Sequence, residues 1–163
     1  MTEMTQVLAS RWKRLGGALV DGLIGMVVTI PVMVSMGLFE QMMQGQGMSI
    51  GQQAFFFVFG LAVFLIVHGY LLAKRGQTVG KFVLGTRIVN NNTGQLVPFN
   101  KLFGLRYLPL MIIALIPILG NLLCIIDALF VFRDDKRCVH DLIAGTRVVD
   151  VKSPEPVVEI ETP

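Results

Sequence analysis

Three long apolar runs leave this chain few ways to fold in water. Residues 15–39 hold a single charge, Asp21; residues 54–73 hold no fixed charge and only His68; residues 102–132 are charged only at Arg106 and Asp127. A helix needs about 20 predominantly apolar residues to cross the hydrocarbon core of a bilayer, and the first two runs have that length. Only 15% of the residues are charged, against about 25% in an ordinary soluble domain. A signal peptide would be shorter than the first run, free of aspartate and followed by a small-residue cleavage site, so the run reads as an uncleaved anchor.

The third run is long for one helix, and Pro117 with Gly120 and Asn121 sits near its middle. Proline removes a backbone donor and glycine punctuates, which predicts two helices, 98–116 and 120–132. The second would be about 20 Å long, short for a full crossing. It reads as one arm of a tilted pair or of a re-entrant hairpin. Lysine and arginine bias sets the orientation. Arg11, Lys13 and Arg14 precede the first run, residues 40–53 contain no lysine or arginine, and Lys74, Arg75, Lys81, Arg87 and Lys101 fill the middle loop. Arg133, Lys136, Arg137 and Arg147 follow the last run. That order is in, out, in, in, which favours four crossings over three and puts both termini on the cytoplasmic side. The net charge of +3, concentrated beside apolar runs, suits a bilayer surface and not a nucleic-acid partner.

Residues 79–89 and 139–149 align without gaps at an offset of 60 and share Gly-Thr-Arg-[Ile/Val]-Val, at 85–89 and 145–149. Each copy follows an apolar run and a short charged stretch, so the chain reads as a duplicated unit of membrane hairpin plus cytoplasmic tail. The β-branched Thr-Arg-Ile-Val and Thr-Arg-Val-Val predict strands. Asn90 to Gly94 is turn chemistry, with Gln95-Leu-Val97 as a second short strand beyond it, in a small two- or three-stranded sheet. Residues 1–150 are expected to form one unit, and 151–163, proline-rich and acidic, a disordered tail.

Trp12-Lys-Arg14-Leu with Asp21 seven residues on resembles the first helix of the RDD family of membrane proteins, named for an arginine and two aspartates. Gly76-Gln-Thr-Val-Gly-Lys81 followed by Gly85-Thr-Arg-Ile-Val is similar to its middle-loop motif. Arg137-Cys-Val-His-Asp141-Leu-Ile-Ala-Gly-Thr146 is similar to its C-terminal signature. The resemblance runs from about Arg11 to Asp150. It implies that Arg14 and Asp21 are the family's arginine and first aspartate, with Asp141 or Asp127 the second. It further implies a bacterial inner-membrane location and the transport of ions or small solutes as the usual proposed function.

Counting back from the flanking charges places Asp21, His68 and Asp127 each about 9–10 Å below its flanking charge, hence at similar depth, with Arg106 reaching the same layer. Ionisable groups at membrane depth face a bundle interior and mark pathways or relays, unless they are paired as glue between helices. In the first case Asp21 and Asp127, with His68, carry a monovalent cation or a proton, and Arg14 and Arg106 set their pKa values. In the second, Arg14 or Arg106 neutralises an aspartate and the site is structural; Asp141 then caps a short helix or pairs with Arg147.

Other signals carry less. Gly76 to Lys81 is one residue short of a phosphate loop, and Phe82 stands where that loop needs a hydroxyl. His140-Asp141 has no nucleophile in recognisable context, so no enzyme is expected. Cys124 lies in an apolar run and Cys138 in a charged loop, without ligand spacing, so neither disulfide nor metal is expected, and no cofactor. The expected architecture is an all-α polytopic membrane protein, a four-helix transmembrane bundle with its last two helices short and a small cytoplasmic antiparallel β element. The bilayer is its main partner. So small a bundle is also expected to pair with a second copy to make an access path.

Overall fold

A computed structural model of the chain describes residues 6–116 and 119–151. Two helices have the length and hydropathy to cross a bilayer: α1 (Arg11–Ser35) and α3 (Ile50–Arg75). Ser10 caps α1 with its side chain, and Ser49 with Gln52 forms a capping box on α3. Gly76, in the left-handed conformation at φ 63, ends α3. Leu19, Leu23, Val27, Ile30 and Val34 line α1 outward, and Phe55, Val58 and Ile66 do so on α3. So continuous an apolar surface is a poor fit to water and a good one to lipid. Between the two helices lies α2 (Leu38–Met43), which takes the last two residues of the first apolar run and the start of the expected loop.

The short helix α4 (Val79–Val83) follows, then strand β1 (Thr86–Asn90). The third apolar run forms the two helical segments expected of it, the first of them with a widened turn. α5 (Phe99–Leu102), a wide π-turn (Phe103–Tyr107) and α6 (Leu108–Ile113) make one helical segment, and α7 (Leu119–Leu129) continues through a 3-10 turn (Phe130–Phe132). The π-turn precedes Pro109, whose missing N–H loosens the ladder there. The break assigned to Pro117 and the tail beyond residue 151 lie outside the described residues. The chain closes with α8 (Val139–Ala144) and strand β2 (Thr146–Asp150).

The sheet differs from the expected hairpin. β1 pairs not with residues 95–97 but antiparallel with β2, with Ile88 opposite Val148 at its centre. Those two residues occupy equivalent positions of the repeat, so a pseudo-twofold axis passes through the pair. Leu8 adds a bridge to Val149 along the outer edge. Asn90 does start a turn, but its backbone N–H returns only once to Gln95 O (2.8 Å). A lone hairpin is marginal, whereas the repeat strand brings β-branched residues to both sides of the ladder. One face of the sheet, Ile88 and Val148, packs on Leu72, Val97, Leu102 and Ala9 to form the buried core. The duplication is therefore structural: each copy is a short helix, a left-handed glycine (Gly85, Gly145) and a strand.

Candidate functional site

The two copies share their polar bonds as well as their outline. Gln77 Nε2 donates to Thr86 O (2.7 Å), and at the equivalent positions Arg137 Nε donates to Thr146 O (3.1 Å). At the start of α4, Gly80 N donates to Asp21 Oδ1 (2.6 Å); at the start of α8, His140 N donates to Asp127 Oδ1 (2.9 Å). Asp21 and Asp127 thus each sit on the first N–H groups of a short helix, groups that have no partner within the helix itself. Each also meets an imidazole. His68 Nδ1 lies 3.8 Å from Asp21 and accepts from Val79 N (3.3 Å), while His140 Nδ1 bonds Asp127 Oδ2 at 2.5 Å.

Asp21 also accepts from the Thr78 hydroxyl (2.5 Å). The close approach of α1 to α4 requires glycine, because a Cβ on Gly80 would stand 2.0 Å from Gly17 O. Beside the second aspartate lies a charge cluster. Asp141 is 0% exposed and accepts from both Arg14 and Arg106, from Cys138 N (3.1 Å) and from Thr146 Oγ1 (3.1 Å). Arg106 rides on the π-turn, is 2% exposed and donates also to Thr146 Oγ1 (2.7 Å). Burial alone would raise the Asp141 carboxyl; Arg106 and Arg14 outweigh it and hold the group well below the usual carboxylate range. Burial, with Arg106 nearby, keeps the His140 imidazole below its ordinary value against the pull of Asp127.

The expected single layer is therefore three adjoining clusters. Asp21 meets His68, Asp127 meets His140, and Arg14, Arg106 and Asp141 meet one another. Arg14 does not turn to Asp21, and Arg106 goes to neither Asp21 nor Asp127. Nor does Asp141 reach Arg147: its side chain is turned to Arg14 and Arg106, and Arg147 sits on the face of the sheet opposite the core. Counting along helices gives depth but not azimuth, so partners at one depth were indistinguishable. His140, Thr78 and Arg11 are the residues the sequence reading missed. Arg11 donates to the carbonyls of Val131, Phe132 and Arg133 (3.2–3.3 Å), capping the last helical turn of the third run. His140 is visible in the sequence as part of His140-Asp141, where it reads as a catalytic group and not as a partner of Asp127.

Asp21, His68, Lys81, Arg106 and His140 all line one cavity of about 1030 Å³. At its far end it is lined by Met42, Gly45 to Met48 and Gln53 from the α1–α3 connection, with Ile24, Phe57, Leu61 and Leu110 between. Asp127, Cys138 and His140 also bring one donor atom each within 4.8 Å of one another. In this arrangement the imidazole already bonds the carboxylate and Arg14 donates to Cys138 Sγ (3.5 Å), so the three donors are engaged.

Residues 8–145 match the family model described as RDD family. The chain belongs to the RDD family. The match includes Arg14, Asp21, Asp127 and Asp141. Similar relatives include an uncharacterized protein of Haemophilus influenzae, 32% identical over 86% of this chain and 77% of its own length. Another is the uncharacterized protein YckC of Bacillus subtilis, 33% identical over 86% of this chain and 83% of its own length. No solved structure matches significantly. Family and apolar helices together make this a membrane-associated RDD protein.

Proposed function

We propose that this RDD protein moves a monovalent cation or another small solute across the bacterial inner membrane, with proton exchange at its aspartate–imidazole pairs. The observation that carries the reading is the cavity of about 1030 Å³, which reaches from the α1–α3 connection to Asp21, His68 and His140. Asp21 and Asp127 are the ion- or proton-binding carboxylates. His68 and His140 are their proton partners, and Arg14 and Arg106 fix Asp141 beside them. The reading takes α1, α3, the 99–113 segment and Leu119–Phe132 as four membrane helices with both termini cytoplasmic, the last pair short and tilted. A second copy then closes the open side of the cavity. The test is cation-dependent proton flux in proteoliposomes. Wild type should show flux, and Asp21→Asn should lose most of it while staying folded. A wild type without flux for any alkali cation would overturn the proposal.

A second reading has its own support. Asp21 and Asp127 both accept N–H groups from α4 and α8, as a purely structural clamp would. On that view the protein is a non-transporting scaffold or assembly subunit. It predicts that Asp21→Asn lowers abundance in the membrane, with no flux to lose.

A further inference from the structure

The sheet face opposite the core carries an unexplained feature. Side chains alternate along a strand, so Arg87 and Arg147 lie on the face away from Ile88 and Val148. Each has an Nε that is buried without a partner. Among the described residues neither guanidinium has a carboxylate or a hydrogen bond. Arg87 also lines a surface pocket of about 320 Å³, together with Arg75, Phe82, Val83 and Gly85. Arg75 stacks over the Phe82 ring at 5.4 Å, which steers its head while leaving its N–H edge free. The Gln77 amide nearby is already spent on Thr86 O. Two unneutralised guanidiniums in one small pocket repel each other unless an anion bridges them, and the planar fork of arginine matches a phosphate.

α3 has 26 residues, about 39 Å of helix against about 30 Å of hydrocarbon, so Arg75 at its end stands among the lipid headgroups. Tyr70, highly exposed one turn before Lys74, and Trp12 at the matching end of α1 mark the same interface. Beside the pocket, Phe82 and Val83 are 47% and 58% exposed on α4, while the equivalent residues of α8, Leu142 and Ile143, are 36% and 58% exposed. The two short helices thus lay paired apolar residues on the bilayer surface. A headgroup phosphate at Arg75 and Arg87 would have its acyl chains over Phe82 and Val83.

We infer that the Arg75–Arg87 pocket binds the phosphate of an anionic phospholipid in the leaflet that meets the end of α3. The inference requires only that α3 cross the bilayer and does not rest on transport. At the equivalent place in the second copy Asp135 stands where Arg75 would be, so Arg147 lacks the second arginine and serves as the internal control.

Native mass spectrometry of the full chain in detergent, offered phosphatidylglycerol and phosphatidylcholine at equal concentration, tests it. Wild type should retain phosphatidylglycerol in about tenfold excess. Arg75→Gln, a change at an exposed side chain with the fold checked by circular dichroism, should bring the ratio close to one, as should Arg75→Gln with Arg87→Gln. Arg147→Gln should leave the excess unchanged. Equal retention of the two lipids by wild type, or an equal loss from Arg147→Gln, would overturn the assignment. Retention of inorganic phosphate by wild type, with no excess of phosphatidylglycerol over phosphatidylcholine, would assign the pocket to a soluble phosphate instead and overturn it as a lipid site.

Discussion

Arg106 and Asp141, on elements 35 residues apart in the chain, form an ion pair with side chains 2% and 0% exposed. Arg14 bonds the other carboxylate oxygen, so one aspartate holds α1, the π-turn and α8 together. Removing the carboxylate charge strands two buried guanidiniums. Asp141→Asn is expected to cost about 3–5 kcal/mol of stability. The apparent midpoint of thermal unfolding in detergent measures it, and a change comparable to that of a surface aspartate such as Asp134→Asn would show that the cluster contributes little.

The same carboxyl makes stability depend on pH. Its folded pKa is depressed, so the unfolded chain takes up the proton first. The contribution is full above the ordinary aspartate value of about 4 and is lost as pH falls through and below it. Wild type should therefore lose thermal stability between roughly pH 5 and 3 more steeply than Asp141→Asn does. Equal slopes in the two proteins would move the acid sensitivity to other carboxylates.

At Gly80 the backbone of α4 touches that of α1. A methyl there would meet Gly17 O at 2.0 Å and Asp21 Oδ1 at 2.9 Å, whereas one on Gly22 meets nothing within 4 Å. Gly80→Ala should destabilise by about 1–3 kcal/mol and separate Asp21 from α4. Gly22→Ala should leave stability unchanged or slightly raised, since alanine favours a helix. Thermal unfolding of both variants checks the contrast, which fails if they behave alike.

What the sequence could reveal follows from what is periodic in it. The two long helices were legible because lipid demands unbroken apolar runs, and the chain ends of α1 and α3 shifted by only a few residues where Gly37 and Gly76 stop them. The repeat was legible as text, at 85–89 and 145–149. Its consequence was not, because nothing local tells Ile88 to pair with Val148 and not with the residues just past Asn90-Gly94. The site was legible as a set of charged residues at one depth. Which of them meet depends on helix rotation and on the π-turn before Pro109, which swings Arg106 to α8, and neither is written in spacing.

Cys138 offers a chemical check on that packing. Its thiol is buried at the start of α8, and burial is the main cause that pushes its pKa up to about 11. Thiolate is the reacting species, so alkylation at pH 7.5 should be slower than for a free cysteine by more than about tenfold. Mass-spectrometric counting before and after denaturation measures it. Rapid labelling of Cys138 in the folded chain would mean that α8 does not sit against Arg14 as described.

Strands β1 and β2 hydrogen-bond to each other, Leu8 bridges to β2, and Arg11 caps the carbonyls at Val131 to Arg133. Bonds of that kind join groups on one side of a bilayer. The chain between β1 and β2 is therefore expected to end on the side where it began, by two short crossings or by a re-entrant hairpin, because a single crossing would separate the two strands. With Cys124 and Cys138 replaced by serine, single-cysteine variants Gly47→Cys, Asn92→Cys and Asp134→Cys report the sides of three connections. A membrane-impermeant maleimide added to intact cells should label Gly47→Cys alone, and the other two only after permeabilisation. Labelling of Asp134→Cys from outside, with Asn92→Cys protected, would put the strands on opposite faces of the membrane and leave the clusters around Asp141 and Asp127 without a partner helix.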